Sequence, residues 1–143
     1  MDAILNELIS ASQNGQIEQR ADGYWIEAAG ADPREIAGVM KAYHARLSTV
    51  TAVNRADGET DLIYHFFLPK KPINVRVTTR EQRLPSVATI LPAANWIERE
   101  IHDLFAVQFD GHPDLRRLVR PPEMPEGFYR QPGGAAARTE RTA

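Results

Sequence analysis

The stretch RLSTVTAVNRADGETDLIYHFFLPKKPINVRVTTR, residues 46–80, decides the fold of this chain. Its runs at 46–55, 60–68 and 73–80 are rich in β-branched and aromatic residues, and the turn sequences ADGE and PKKP separate them. Short turns join antiparallel neighbours, so the stretch predicts a three-stranded meander. Residues 60–68 place apolar side chains on both faces, which predicts that this strand is central in the sheet.

Two short strands are predicted ahead of the meander. Asp22-Gly23 is a dipeptide of tight hairpin turns, and it separates residues 16–20 from residues 24–28. A helix is predicted before this hairpin at residues 2–12, where apolar residues recur at helical spacing. The sequence therefore opens with a helix and an antiparallel pair of strands.

Two further helices flank the meander. Asp32 before Pro33 combines a capping residue with a proline suited to the first turn, and it predicts a helix at residues 33–45. A longer helix is predicted at residues 93–105. It carries an apolar stripe that should pack against the sheet: Ile97, Ile101, Leu104 and Phe105. The predicted element order is α-β-β-α-β-β-β-α.

The character of the chain changes after residue 110. Prolines keep the chain extended at positions 113, 121, 122, 125 and 132, and a glycine pair then leads into a small polar end. We therefore divide the sequence into a compact domain at residues 1–110, an extended partner-docking arm at 111–132, and a tail at 133–143 that is predicted to be disordered.

Composition narrows the function. The 143 residues carry a net charge of -2, which gives no support to a nucleic-acid-binding role. The absence of cysteine excludes disulfides, a thiol nucleophile and the usual thiolate ligands of iron–sulfur clusters. The N-terminus lacks the basic start and unbroken apolar run of a signal peptide, and no stretch approaches a membrane span. We expect a cytoplasmic protein that reaches a membrane through other proteins.

The charged helix at residues 93–105 leaves several alternatives open. Glu98 and His102 are four residues apart, and with His112 they form a candidate ligand set for a small metal-dependent enzyme. A hydrolase that uses Glu98 and Glu100 is disfavoured, because residues two apart on a helix point in nearly opposite directions. The plainest alternative is a solvated, ion-paired surface formed by Arg99 and the carboxylates of Glu98, Glu100 and Asp103.

A protein interface accounts better for the segment that follows this helix. Leu115, Arg116 and Arg117 continue without core periodicity, and arginine is favoured where proteins dock. A free-standing binding module is a further alternative within this class.

The sequence resembles the 30-kDa subunit family of respiratory complex I, which includes the homologous subunit of membrane-bound, energy-converting nickel–iron hydrogenases. The resemblance rests on EREIHDLF (98–105) and GHPDLRRL (111–118), with support from PSVATILPAANW (85–96), LSTVTAVNR (47–55) and DLIYHFFL (61–68). It covers most of residues 45–117, and the first forty residues match in their element pattern.

The resemblance implies an α+β fold: a two-layer sandwich of helices on a mixed, largely antiparallel sheet. It implies a non-catalytic, cofactor-free subunit of the peripheral arm on the inner face of the cell membrane. Such a subunit docks on the large quinone-site or nickel–iron subunit, next to an iron–sulfur subunit. Iron–sulfur clusters, flavin or a nickel–iron centre would then be held by partner subunits, and this chain alone would have no activity.

Carried over by position, the docking and family-motif residues are Glu98, Arg99, Glu100, Asp103, Leu104, Phe105, Gly111, His112, Pro113, Leu115, Arg116 and Arg117. No catalytic, cofactor-binding or metal-binding residue is implied. The chain departs from the family pattern at His102, where an aromatic residue is common, and at Ala106, where glycine is usual. It also lacks the family's PLRKD-like continuation. The sequence leaves the complex I and hydrogenase branches both open.

Overall fold

The computed structural model describes residues 2–13, 15–69, 71–116, 118 and 123–130. Its helices and strands, in chain order, are α1 (Asp2–Ala11), β1 (Gln16–Arg20), β2 (Gly23–Glu27), α2 (Pro33–Ala42), β3 (Arg46–Asn54), β4 (Thr60–Leu68), β5 (Lys71–Thr78), β6 (Arg83–Pro85), α3 (Ala94–Phe105) and β7 (Gln108–Asp110), followed by a short 3₁₀ turn at Phe128–Arg130. The predicted tail at 133–143 and Arg117 lie outside the described residues.

A five-stranded sheet forms the centre of the fold, in the order β1-β2-β5-β4-β3. The neighbours β3, β4 and β5 are antiparallel, which confirms the meander, while β2 pairs with β5 in parallel. The sheet is therefore mixed and largely antiparallel, as the resemblance implies. Strand β4 lies inside the sheet, as residues 60–68 predicted. The middle position itself belongs to β5, because β2 adds to its other edge.

Gly23 allows β2 to come close to β5. It begins β2 with a positive φ of 123°, and a Cβ atom at this position would collide with the carbonyl oxygen of Pro72. Glycine alone tolerates both the backbone angle and the close approach. The Asp22-Gly23 hairpin signal therefore predicted the turn, and the same glycine also permits the parallel pairing.

The three helices cover one face of the sheet, which gives two layers. Alternate side chains of the central strands face inward, and they join helix residues in a single apolar core: Leu62, Tyr64, Phe66, Ile73, Val75, Val77, Ile4, Leu8, Ile36, Met40 and Ile101. The opposite face carries a polar network. Here the two ring nitrogens of His65 lie 2.6 Å from Oδ1 of Asn74 and 2.8 Å from Oγ1 of Thr51.

Helix α2 follows its sequence signals closely. Asp32 accepts a hydrogen bond from the N–H of Arg34 at 2.9 Å, as an N-cap does, and Pro33 occupies the first turn. The helix ends at Ala42, earlier than the predicted Ala45. His44 adopts a left-handed φ of 58°, and the N–H of Ala45 donates a 2.9 Å hydrogen bond to the carbonyl oxygen of Met40.

Two three-residue strands, which the sequence analysis missed, hold both ends of α3. Strand β6 precedes the helix, β7 follows it, and the two pair in parallel. The N–H of Ser86 extends this contact by donating to the carbonyl oxygen of Asp110 at 2.8 Å. The α+β fold class and the order of the main elements are confirmed, with β6 and β7 as additions.

Candidate partner-docking site

Helix α3 buries polar side chains as well as apolar ones. Its buried residues are Ala94, Glu98, Ile101, His102 and Asp103, whereas Trp96 is 68% exposed. The alternative of a solvated charged surface is therefore wrong for Glu98 and Asp103, and His102 is buried as well. The expected apolar stripe is also narrower than predicted, because Ile101 is buried but Ile97, Leu104 and Phe105 are only partly covered. The segments before and after the helix cover its charged side.

Glu98 is fully buried beneath the segment that leads into α3. Its Oε1 accepts a 2.6 Å hydrogen bond from the hydroxyl of Ser86, and its Oε2 accepts one of 2.9 Å from the N–H of Val87. Burial raises the pKa of Glu98 to about 7, although both hydrogen bonds act in the opposite direction. This carboxyl group ties the chain before the helix to the second turn of α3.

His112 anchors the turn that follows β7. Its Nδ1 accepts the N–H of Asp114 at 2.9 Å, so the neutral ring carries its proton on Nε2 and donates it to the carbonyl oxygen of Asn95 at 3.0 Å. The same Nε2 lies 3.8 Å from Oε1 of Glu98. Sequence positions 98 and 112 are thus brought together beside the first turns of α3.

His102 points to a different place. Its Nδ1 lies 2.9 Å from the carbonyl oxygen of Val107, and its Nε2 lies 3.6 Å from Oε2 of Glu126. The Glu98, His102 and His112 set therefore does not converge on one point. In the described part of the chain, no three His, Asp or Glu side chains form a group that could hold a metal ion. Glu98 and Glu100 are also separated, since Glu98 is buried and Glu100 is exposed.

Asp103 and Arg99 connect α3 to the arm. Oδ2 of the fully buried Asp103 accepts the N–H of Leu118 at 2.7 Å, and its backbone carbonyl accepts the N–H of Gly127 at 2.8 Å. Nε of Arg99 donates to the carbonyl oxygen of Arg116 at 3.0 Å. The helix thus supplies charged groups to the backbone of the arm, whose described residues form no strand.

The end of α3 fits closely against the described end of the arm. Ala106 adopts a left-handed φ of 57°, and a Cβ atom on Gly127 would lie 2.8 Å from the Cβ of Ala106. The rings of Phe105 and Tyr129 meet edge to face, with centroids 5.4 Å apart. Arg130 then donates to the carbonyl oxygen of Gly58 at 2.6 Å. The described part of the arm therefore lies against its own domain.

The outer surface of α3 and of the segment that Arg99 holds against it carries exposed side chains. We call it the docking face and define it by Trp96, Glu100, Pro113 and Arg116, all of which are exposed. Arg116 is held in place by two hydrogen bonds of 2.7 Å to the carboxylate of Asp114, which hold the pKa of that carboxyl below its usual value. Of the remaining motif residues, Gly111 is exposed and Leu115 packs against the core.

Three residues that complete the site were absent from the predicted set: Ser86, Trp96 and Glu126. Ser86 precedes and Glu126 follows the two motifs at 98–105 and 111–118. Their contacts with α3 form only when the chain before and after the helix folds back on it. Trp96 carried a usable signal, because a tryptophan stood two residues before the charged run, on the edge opposite Ile101.

A cleft of about 660 Å³ lies beside the turn between β3 and β4, and its lining includes Asp32, Arg55, Glu59 and Arg80. Several of its charged groups contact each other or the backbone. Arg55 pairs with Asp57 at 3.2 Å, and Glu59 accepts the hydroxyl of Thr79 at 2.6 Å and the N–H of Gln82 at 2.9 Å. Those contacts hold the pKa of Glu59 below its usual value and fix the loop before β6.

The chain is similar to proteins of known families. Residues 26–132 match the family described as "Respiratory-chain NADH dehydrogenase, 30 Kd subunit". Over 62 residues the chain is 44% identical to the C subunit of the NADH-quinone oxidoreductase of Mesorhizobium japonicum, covering 41% of this chain and 31% of that protein. Over 65 residues it is 43% identical to the C/D subunit of the Methylococcus capsulatus enzyme, covering 43% of this chain and 11% of that protein. The chain thus matches less than a third of these relatives' lengths.

Solved structures share the fold. A trypsin-resistant fragment of Nqo5 superposes with a TM-score of 0.61 at 25% identity, covering 78% of this chain and 99% of the fragment. A chain of the membrane-bound sulfane sulfur reductase, an archaeal respiratory membrane complex, superposes with a TM-score of 0.73 at 22% identity, covering 99% of this chain and 91% of that one. The second likeness concerns the fold alone.

Proposed function

The chain belongs to the respiratory-chain NADH dehydrogenase 30 Kd subunit family, and we propose that it is a non-catalytic subunit of an NADH-quinone oxidoreductase-like complex. Its role is to dock on, and stabilise, the large subunit that forms the quinone site, or the nickel–iron subunit in a related hydrogenase. The two bacterial relatives support the first of these partners, since their names place both in NADH-quinone oxidoreductases.

The docking face is the observation that carries this proposal. Trp96 is 68% exposed on α3, and the side chain of Arg116, whose backbone carbonyl accepts a hydrogen bond from Arg99 of the same helix, is 81% exposed. Tryptophan and arginine are the residues that most often dominate binding energy at protein interfaces. The hydrogen bonds of Arg99 and Asp103 hold the arm against α3. The docking face is therefore already ordered, and little conformational entropy is lost when a partner binds.

The chemistry of electron transfer belongs, in this proposal, to partner subunits. The chain has no cysteine and therefore offers no thiolate ligand to an iron–sulfur cluster. We assign iron–sulfur clusters, flavin or a nickel–iron centre to the neighbouring subunits. The polar residues of α3 act on the chain's own backbone, which is the function of a scaffold.

Association with the membrane is proposed to be indirect. In the described residues no helix combines the length and the apolar composition that crossing a bilayer requires. The chain would then reach the inner face of the cell membrane as a peripheral part of the assembled complex, through the subunits that it contacts.

The proposal is tested by affinity capture from native membranes. The tagged native chain should recover the large quinone-site or nickel–iron subunit. Trp96→Ala, and separately Arg116→Ala with Arg117→Ala, should each lower that recovery at least tenfold, since truncating a residue that dominates an interface costs about 2 kcal/mol or more. Arg80→Ala is the matched control, because Arg80 is exposed in the loop before β6 and is not one of the residues that define the docking face.

Each variant is also melted in isolation, to separate docking from folding. Melting temperatures within about 2 °C of the native chain are expected for all of them. The proposal fails if the native chain recovers neither large subunit, or if the docking-face variants recover as much as Arg80→Ala does. A large fall in melting temperature would show instead that these residues hold the fold.

A further inference from the structure

Two lysines among the described residues, Lys41 and Lys71, lie at one end of the sheet. The sequence contains three lysines, at positions 41, 70 and 71. Lys71 begins β5 and Lys41 lies in the last turn of α2, which delivers the chain to Arg46 at the start of β3. Strand directions place the starts of β3 and β5 at the same end, together with the last residues of β4. We call this the lysine end.

Cations at the lysine end rest on aromatic rings. The guanidinium of Arg46 lies 5.6 Å from the ring centre of Phe67, and the ammonium of Lys71 lies 5.0 Å from that of Tyr24. Within the described ranges, neither Arg46, Lys71 nor Lys41 has a carboxylate within ion-pair distance. The rings fix the positions of the charges but do not neutralise them.

The opposite end of the sheet shows the contrast. There the buried carboxylate of Asp61 lies 3.2 Å from Arg55 and 3.0 Å from Arg76, and Arg76 also lies 3.4 Å from Glu27. We call this the ion-paired end. Charges of both signs are matched there, whereas the lysine end keeps an excess of positive charge. A chain with a net charge of -2 has carboxylates to spare, so this excess reflects placement rather than composition.

An apolar contact site accompanies these charges. Phe67 is 45% exposed on the outer face of β4, and Pro69 beside it is also exposed. Together with Trp96, Phe67 is one of two large apolar side chains that stand exposed among the described residues. Trp96 belongs to the docking face on α3. Phe67 lies on the face of the sheet that the helices leave uncovered, as its register with Arg46 shows.

From these contacts we infer that the lysine end is a second docking surface, which binds an acidic segment of another subunit. The inference rests on the proposed function, and it adds a second neighbour to it. An exposed aromatic side chain with the fixed guanidinium of Arg46 on its ring, and the fixed ammonium of Lys71 at the same end of the sheet, is complementary to a segment that offers carboxylates near an apolar residue. The chain then bridges two partners, one on α3 and one at the end of the sheet.

Other occupants fit this surface less well. An anionic bilayer gains from mobile cations and from several inserted apolar groups, but here two cations are held on rings and one aromatic side chain is exposed. A second copy of the chain would have to present its own carboxylates. Its exposed carboxylates Glu35, Glu81 and Glu100 each directly follow an arginine in the sequence, so each would bring a positive charge with it.

Site-specific photo-crosslinking in the native membrane complex tests the inference. Benzoylphenylalanine is placed at Phe67 of the full chain, at Trp96 to report on the docking face, and at Ala56, an exposed turn residue, as the background control. We expect the Phe67 position to form an adduct with a peptide of another subunit that is rich in Asp and Glu. The Trp96 position should form an adduct with the large subunit.

Charge-reversal variants give the matched comparison. Arg46→Glu with Lys71→Glu should lower the adduct yield at position 67 at least about fivefold and leave that at position 96 unchanged, since charge complementarity acts locally. Arg34→Glu with Arg80→Glu changes the net charge equally, at positions away from the lysine end, and should change neither yield.

The two proposals fail in distinguishable ways. If position 96 forms its adduct and position 67 gives background, lipid, a second copy of the chain, or a peptide without excess Asp and Glu, the lysine-end proposal is overturned and the proposed function stands. If position 67 gives the acidic adduct but position 96 gives none, docking through α3 fails. If both give background, both proposals fail.

Discussion

Helices α2 and α3 lie on the same face of the same sheet and solve the problem of burial in opposite ways. Helix α2 buries Ile36, Ala37 and Met40 and turns Arg34 and Glu35 to solvent. Helix α3 buries acidic side chains and exposes a tryptophan. The difference comes from what covers each helix. The outer side of α2 faces solvent. The outer side of α3 is covered by the arm, whose described residues form no strand.

The comparison shows what the charges of α3 do. Backbone N–H groups that are buried need hydrogen-bond acceptors, and carboxylate oxygens are strong acceptors. Glu98 serves Val87 in this way, and Asp103 serves Leu118. A run of charged residues on a helix therefore predicts either a solvated surface or a backbone-binding one. The flanking segments decide between the two.

The largest expected effect compares one core residue from each helix. Met40→Ala should destabilise the fold by about 4 kcal/mol, because a fully buried side chain leaves a cavity. Asp103→Ala should cost about 2 kcal/mol, because it removes a charge-assisted hydrogen bond and leaves the N–H of Leu118 without this acceptor. Urea unfolding measures both. A cost below about 1 kcal/mol for Asp103→Ala would remove the contrast between the helices.

The pH dependence of Glu98 sharpens the same comparison. Its folded pKa of about 7 lies above the ordinary 4.5, so the protonated carboxyl favours folding. That contribution is complete below about pH 4.5 and is lost as the pH rises through 7. Glu98→Gln stays neutral. Relative to that of the native chain, the free energy of unfolding of Glu98→Gln should therefore rise by on the order of 3 kcal/mol between about pH 4 and pH 8.

The control for this titration is Glu35→Gln on α2, since Glu35 is exposed. Its stability should follow that of the native chain across the same series of buffers. If the curves of Glu98→Gln and the native chain also run parallel, Glu98 does not exchange its proton in the range that burial implies.

A smaller, stabilising effect is expected at the end of α3. Ala106 holds a left-handed φ of 57°, a conformation that costs an L-residue about 1 kcal/mol relative to glycine. Ala106→Gly should therefore raise the free energy of unfolding by up to about 1 kcal/mol, less the entropy that glycine gains in the unfolded chain. Thermal unfolding checks the sign. A clear loss of stability would show that the Ala106 methyl group and Gly127 pack favourably.

The smallest effect on folding is expected at the exposed position of α3. Trp96→Ala should change the free energy of unfolding by less than about 0.5 kcal/mol, because the side chain is 68% exposed. Ile36→Ala on α2 is the matched apolar truncation at a buried position, and about 3 kcal/mol is expected there. Comparable losses in the two variants would mean that Trp96 supports the fold rather than a partner.

The sheet was the part of the fold that the sequence predicted best. Strands β3, β4 and β5 are eight or nine residues long, and turn sequences separate them. The pattern of their side chains and the positions of the turns therefore predict the same strands. The three-residue strands β6 and β7 carry too few residues to show any alternation. Their pairing also depends on α3, which separates them in sequence. The parallel pairing of β2 with β5 was similarly invisible, because no local signal specifies a distant neighbour.

The candidate site was predicted as a set of residues but not as an arrangement. The family resemblance named Glu98, Asp103 and His112 as motif residues, but it specified no contact for any of them. Hydrophobic periodicity could not predict that two carboxylates would be buried, since it registers only apolar side chains. Trp96 shows the converse. Its exposure depends on which face of α3 the rest of the chain leaves open.

The placement of the lysines also has a practical consequence. Reagents that react with primary amines will modify Lys41 and Lys71 at one end of the molecule, and Lys70 adjoins Lys71 in sequence. Immobilising the protein through these side chains would attach it at the lysine end and leave the ion-paired end of the sheet facing the solution. Because the sequence has no thiol, a cysteine introduced on α3 could be labelled independently, so each of the two surfaces is open to its own probe.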